Sequence, residues 1–337
     1  LQGFLTIHPV MKWVKLGMVF ACYYNWDAIA FERWKIGMTL DELLNKVKNL
    51  KENRKIVIAH AIDESLFLAA KQAIEEKLAS FVFIGPLEQM ERLKEDAGFT
   101  QEDDKHITWV DAESDTESAK KAVQLVSNGE GDVLMKGMLS TSKLLKAVLH
   151  KEYGLRSGKI LSHIAGFSIP NREKILFLSD AAMNINPTLQ EKVQILQNAV
   201  DVVNRMGLNE PKVAAIAAVE TVNPAMEATT DAASLTMMNR RGQITNCIVD
   251  GPLGLDNAIS KEAAKQKGIT SEVGGSADIL IVPTIEVGNT LYKSLTYFGG
   301  ATVGGMIIGA KAPIVLTSRA DSVQSKLFSM AMAVTSS

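Results

Sequence analysis

Apolar and polar residues along this chain fall into blocks. Short continuous apolar runs at 54–60 (RKIVIAH), 81–84, 107–110, 132–135, 213–219, 244–249 and 278–282 read as buried strands. Segments with apolar residues at helical spacing separate them, at 63–78, 87–96, 116–127, 141–151, 225–239 and 256–266. Thr39-Leu40-Asp41-Glu42 and Thr188-Leu189-Gln190-Glu191 have the form of capping boxes, opening helices to about Lys51 and Met206. Runs 159–169 and 174–178 lie close together across Pro170-Asn171, a spacing that permits a hairpin. Strands alternating with helices predict an α/β fold with a mostly parallel sheet covered on both faces.

One stretch, 277–321, concentrates the chemistry. A strand at 278–282 leads through Pro283 into a helix carrying Asn289, Tyr292 and Lys293 at spacings that share a face. Two glycine pairs follow, then an apolar run at 314–316. That run breaks at Thr317, Ser318 and Arg319 before a last helix from about 321 to 334. Hydroxyls and a guanidinium at a strand-to-helix junction suit an anion. The plainer reading is that Ser318 caps the helix and Arg319 is a surface charge.

Composition changes this picture little. The 337 residues favour two domains, and 47% hydrophobic with 22% charged residues is an ordinary globular mixture. A net charge of -2 leaves no basic footprint for nucleic acid, and no stretch has the length and apolarity of a membrane span. Cys22 and Cys247 lack metal-like spacing, so a reducing cytoplasm is expected. Residues 1–37 hold three of the four tryptophans without a clear period. Glu32-Arg33-Trp34 back-translates as GAG-AGG-TGG, like a bacterial ribosome-binding site just ahead of Met38. Residues 1–37 are therefore expected to be a leader or non-native extension.

The chain contains no GxxxxGK loop, complete GxGxxG, HExxH or GxSxG. Its chemistry must use residues dispersed at strand ends. Four clusters qualify: Lys136 with Ser140 and Thr141, Asp250 to Asp256, Asn289 with Tyr292 and Lys293, and Thr317-Ser318-Arg319. In a parallel sheet they would converge on one edge as an anion site. Against this, Lys136 also reads as a solvated lysine, Asp250 as a turn residue, and Tyr292, His60 and His163 as packed core groups.

The runs KGMLSTSKLLKAVLHKEYGLR, LSDAAMNINPT, IVDGPLGLDNAIS, ADILIVPTIEVGNTLYKSL and LTSRADS together resemble the phosphate acetyl/butyryltransferase family, and more closely its butyryltransferase branch. The resemblance covers Met38 to the C-terminus. It implies two α/β domains flanking a cleft, related to isocitrate and isopropylmalate dehydrogenases, with 38–155 plus 313–337 forming one and 156–312 the other. It implies reversible exchange of an acyl group between coenzyme A, a substrate here, and phosphate. No permanently bound cofactor or metal is implied, and a homo-oligomer is expected. The active-site Ser-Arg pair of the acetyl branch falls on Ser318 and Arg319. An arginine of that branch falls on Lys146. Its following aspartate aligns with Ser325, while Asp321 is nearby but displaced.

The chemistry suits the residues. Arg319 can grip phosphate in a bidentate fork with Ser318 beside it, while Lys136 and Lys146 offer charge to phosphate groups. The coenzyme A thiol must lose a proton, to Asp321 or to a phosphate oxygen. Acetyl transfer is the near alternative. A dehydrogenase of the same architecture would need clustered aspartates for a metal, and the sequence presents no such cluster.

Overall fold

The structure is a computed structural model, and it describes residues 38–50, 54–317 and 321–337. The first half alternates α1 (Leu40–Lys48), β1 (Lys55–Ala59), α2 (Glu64–Glu75), β2 (Ser80–Gly85), α3 (Leu87–Asp96), β3 (Ile107–Asp111), α4 (Asp115–Ser127), β4 (Val133–Lys136) and α5 (Thr141–Val148). Then follow β5 (Ser162–Ser168), β6 (Leu176–Ser179), α6 (Leu189–Arg205), β7 (Lys212–Ile216), α7 (Glu227–Arg240) and β8 (Ile248–Leu253). The chain closes with α8 (Leu255–Ile259), α9 (Lys261–Gln266), β9 (Ile279–Ile281), α10 (Ile285–Tyr297), β10 (Thr302–Ile308), β11 (Ile314–Val315) and α11 (Val323–Ser336). Both capping boxes form. Thr39 and Thr188 accept from the amides of Glu42 and Glu191, whose carboxylates accept in return.

One eleven-stranded sheet runs through the molecule in the order β3-β2-β1-β4-β11-β10-β5-β6-β9-β7-β8. β3 to β11 along that order are parallel, as are β6 to β8 at the other end. The antiparallel pairs β11-β10, β10-β5 and β5-β6 join them. Three reversals leave the two parallel groups running in opposite senses. The single converging edge expected from the sequence is therefore not how the clusters meet.

Two features differ from the sequence reading. β10 was not anticipated, because Gly304-Gly305 reads as a break. The glycines are there for close approach. A Cβ on Gly304 would lie 2.8 Å from Phe328 of α11, and one on Gly305 would lie 3.0 Å from Nε2 of His163. Asp250 was placed in a loop, but it lies within β8, the outermost strand.

α11 is the central helix, with every residue from Ser325 to Ser336 buried. It packs on β10, α2 and α1. Its buried apolar residues, Leu327, Phe328 and Met330 to Val334, are spread around the helix, which suits a core position. Its hydroxyls turn inward to its own backbone, Ser329 donating to Ser325 O at 2.9 Å and Thr335 to Ala331 O at 2.7 Å.

Candidate active site

A cleft of about 530 Å³ opens between α10, the sheet face at β5 and β10, and the start of α11. α10 gives it Asn289, Tyr292, Lys293, Thr296 and Tyr297, while Asp321, Ser322 and Ser325 enter from the segment after β11. The helix, starting from β9, thus carries its side chains along the sheet face to the far end of β11. Its seat is tight. A Cβ on Gly288 would meet Asp180 O at 2.5 Å, and Asn289 Nδ2 donates to Ala181 O at 3.3 Å. The 180–184 turn is itself fixed by the Asp180 carboxylate, which accepts from the amides of Ala182 and Met183 and from Asn184 Nδ2.

The inner wall of the cleft is apolar and aromatic. Ala181, Ala182, Ala301 and Val303 line it beside the rings of His163 and Tyr292. Tyr292 packs edge-on against Phe167, with ring centroids 5.3 Å apart. Its hydroxyl is pushed up to about 12, first by burial and then by the charge of Asp321. That second cause places the Asp321 carboxylate within electrostatic reach of Tyr292. His163 is 7% exposed, and its buried Nδ1 has no hydrogen-bond partner among the described residues. Burial holds its pKa below the ordinary histidine value, against the opposing pull of Asp180.

Beside the cleft lies a smaller recess lined by Asp63, Lys136, Met138, Thr317 and Lys326. Lys136, at the end of β4, donates to Gly137 O at 3.1 Å and Leu139 O at 3.4 Å. Gly137 is required there, since a Cβ would meet His60 O at 2.3 Å. Lys326 is 1% exposed, and its ammonium donates to Asp321 O at 2.7 Å. Thr317 lines the recess and Asp321 the cleft. Ser318 and Arg319 themselves lie outside the described residues.

Of the other residues singled out, Ser140 caps α5, accepting from Lys143 N at 3.3 Å. Thr141 and Lys146 are exposed on that helix. Asp250 does not line the cleft. The cleft thus gathers Asn289, Tyr292, Lys293 and Asp321, with Lys136 in the adjoining recess. Sequence reasoning passed over Lys326 and read His163 as a packing group. The signal for Lys326 was present, the one charged residue in the last helix.

Residues 113–334 match the family described as phosphate acetyl/butaryl transferase. The probable phosphate butyryltransferase of Bacillus subtilis is 52% identical over 300 residues, which is 89% of this chain and 98% of that protein. The phosphate acetyltransferase of Thermotoga maritima is 43% identical over 295 residues, covering 88% and 98% respectively. Among solved structures, a branched-chain phosphotransacylase from Enterococcus faecalis superposes with a TM-score of 0.73 at 37% identity, covering 84% of this chain and 98% of that one.

Proposed function

The chain belongs to the phosphate acetyl/butaryl transferase family, and from that premise we propose that it is a phosphate butyryltransferase. The reaction is butanoyl-CoA plus phosphate giving butanoyl phosphate plus coenzyme A. The observation that carries this reading is the cleft, with an apolar inner wall suited to a short acyl chain and Lys293 and Asp321 among the polar groups lining it. Phosphate transfer to an acyl carbon passes through a tetrahedral centre bearing an oxyanion. Arg319 and Ser318 hold phosphate in this reading, and Lys136 adds a further positive charge. Asp321 or a phosphate oxygen takes the thiol proton in the reverse direction. Lys146, Ser140 and Thr141 contribute to substrate binding in this reading, and positioning of the two reactants supplies much of the rate.

Two α/β domains fit the packing. One apolar cluster joins residues between Val57 and Leu155 to Ile307 and Ile314, and another joins residues between Ala165 and Val303. They follow the proposed division into 38–155 plus 313–337 and 156–312 except at Ile307, which belongs to the second range but packs with the first cluster. A homo-oligomer in the cytoplasm, with no nucleic-acid partner, completes the reading. No helix among the described residues is long and apolar enough to cross a membrane.

Release of free thiol from butyryl-CoA, measured with and without phosphate, tests the function. Phosphate-dependent release is expected, with higher kcat/KM for butyryl-CoA than for acetyl-CoA. Each buried methylene contributes about 0.8 kcal/mol, so two give roughly tenfold or more. Equal or better turnover of acetyl-CoA favours the acetyltransferase reading, which the similarity to the Thermotoga enzyme supports.

A further inference from the structure

An acyl-CoA is far longer than the cleft can enclose. If its thioester lies at the inner wall, its nucleotide must rest on the surface at the mouth. The mouth has an unusual surface. Tyr297, which lines the cleft, is 77% exposed, and the adjoining Phe298 is 93% exposed. A single exposed apolar residue needs no explanation, but two consecutive aromatic rings at a cleft mouth do. Lys293 stands one helical turn back, its ammonium 5.9 Å from the Tyr297 ring centre and 5.3 Å from that of Tyr292. It forms no ion pair with any described residue. Aromatic faces beside a cation available to an anion are the groups that bind a base and a phosphate together.

The platform is also held in place. α10 ends at Phe298, whose amide donates to Ser294 O, and the chain turns at Gly299-Gly300. A Cβ on Gly299 would lie 2.6 Å from Leu295 O, and Gly300 has a positive φ of 62°. Only glycines fold the chain back this closely against the helix end. The backbone that carries the rings is therefore set before ligand arrives, which lowers the entropy lost on binding.

We propose that Tyr297 and Phe298, with Lys293 beside them, form the binding platform for the adenosine phosphate end of coenzyme A. This rests on the acyl-CoA reading above, which it extends to residues outside the reacting centre. The platform binds a ring by its face and a phosphate by charge, so it contributes to KM for the full thioester and not for one that lacks the nucleotide.

The test compares butyryl-CoA with butyryl-pantetheine, which keeps the thioester and loses the nucleotide. In the Tyr297→Ala, Phe298→Ala double variant the ratio of KM values, butyryl-CoA over butyryl-pantetheine, is expected to rise about tenfold or more, as loss of base stacking implies. Lys293→Met should raise KM for butyryl-CoA more than KM for butyryl-dephospho-CoA. Equal effects on full and truncated thioesters would overturn the proposal. So would unchanged kinetics with a shift in sedimentation, which would make the aromatic pair a contact between copies of the chain. Titration calorimetry with adenosine 3′,5′-bisphosphate tests the platform without turnover. Weaker binding by the double variant supports it, and the same affinity in variant and native protein removes it. If the native protein turns over neither thioester with phosphate but the nucleotide binding is lost in the variant, the acyl-transfer reading fails and the platform stands.

Discussion

Lys326 carries its charge where water hardly reaches. Taking an ammonium out of water costs several kcal/mol even after the protein relaxes, and replacing such a group by an apolar one of similar volume is often neutral or stabilising. Its one hydrogen bond among the described residues goes to Asp321 O, the backbone of a cleft residue. Lys326→Met is therefore expected to leave the melting temperature unchanged or raised. The phosphate-dependent rate should fall about tenfold or more as the Asp321 backbone loses its donor. A lower melting temperature with an unchanged rate would make Lys326 a purely structural group. Arg319→Lys makes the complementary comparison, keeping the charge but losing the planar fork. Loss of one well-placed transition-state donor costs on the order of 3 kcal/mol, or about a hundredfold in rate. Initial rates against phosphate at saturating butyryl-CoA, with circular dichroism to verify the fold, measure it. An unchanged rate and phosphate KM would leave Lys136 as the principal phosphate group.

The elements show where sequence was a good guide. Helix starts were legible at Thr39 and Thr188 because the cap chemistry is local, one side chain serving an amide three residues on. β10 was hidden because its reason is not local. Gly304 is a glycine owing to Phe328, which approaches only once α11 has packed. Asp250 was misplaced because Gly251-Pro252 reads as a turn, and an edge strand tolerates both. The predicted helix at 256–266 is broken at Ser260, which caps its second piece by accepting from Ala263 N. At the site, the helix face of Asn289, Tyr292 and Lys293 was readable from spacing. Its meeting with Asp321 depends on the antiparallel strands, which leave no periodic trace. Gly304→Ala tests the packing argument. Its Cβ would sit 2.8 Å from Phe328 Cγ and 2.9 Å from that residue's carbonyl carbon. Overpacking of this kind costs about 1–3 kcal/mol, to be read from urea denaturation midpoints.

At the scale of the whole molecule, two buried histidines set a pH dependence. Burial lowers the pKa of both His60 and His163 from the ordinary value of 6.5, in each case against a nearby carboxylate. The folded protein therefore prefers them neutral, and the unfolded chain binds more protons just below that value. Their contribution is complete above about pH 6.5 and is lost as pH falls toward the folded values. Melting temperature is expected to drop between about pH 7 and pH 5, and to drop less in His163→Gln. The same slope in the variant would assign the whole effect to other groups. Cys247 points the same way about access, since burial pushes its thiol up to about 12 and leaves it unreactive in the native fold.

β11 contributes only Ile314 and Val315, yet it is the rung between β4 and β10. The ribosome makes every other strand of the sheet before it. A nascent chain that has just completed β10 therefore has β4 and β10 both presenting unpaired backbone, and β4 reads VLMK, an apolar edge. The two halves of the sheet become one only when this late segment arrives and α11 follows it into the core. Until then the polypeptide carries two sticky borders, a hazard for aggregation in proportion to how slowly translation finishes. The closing of the sheet and the delivery of Thr317 and Asp321 to the site are thus one event, so no half-made chain holds an assembled centre.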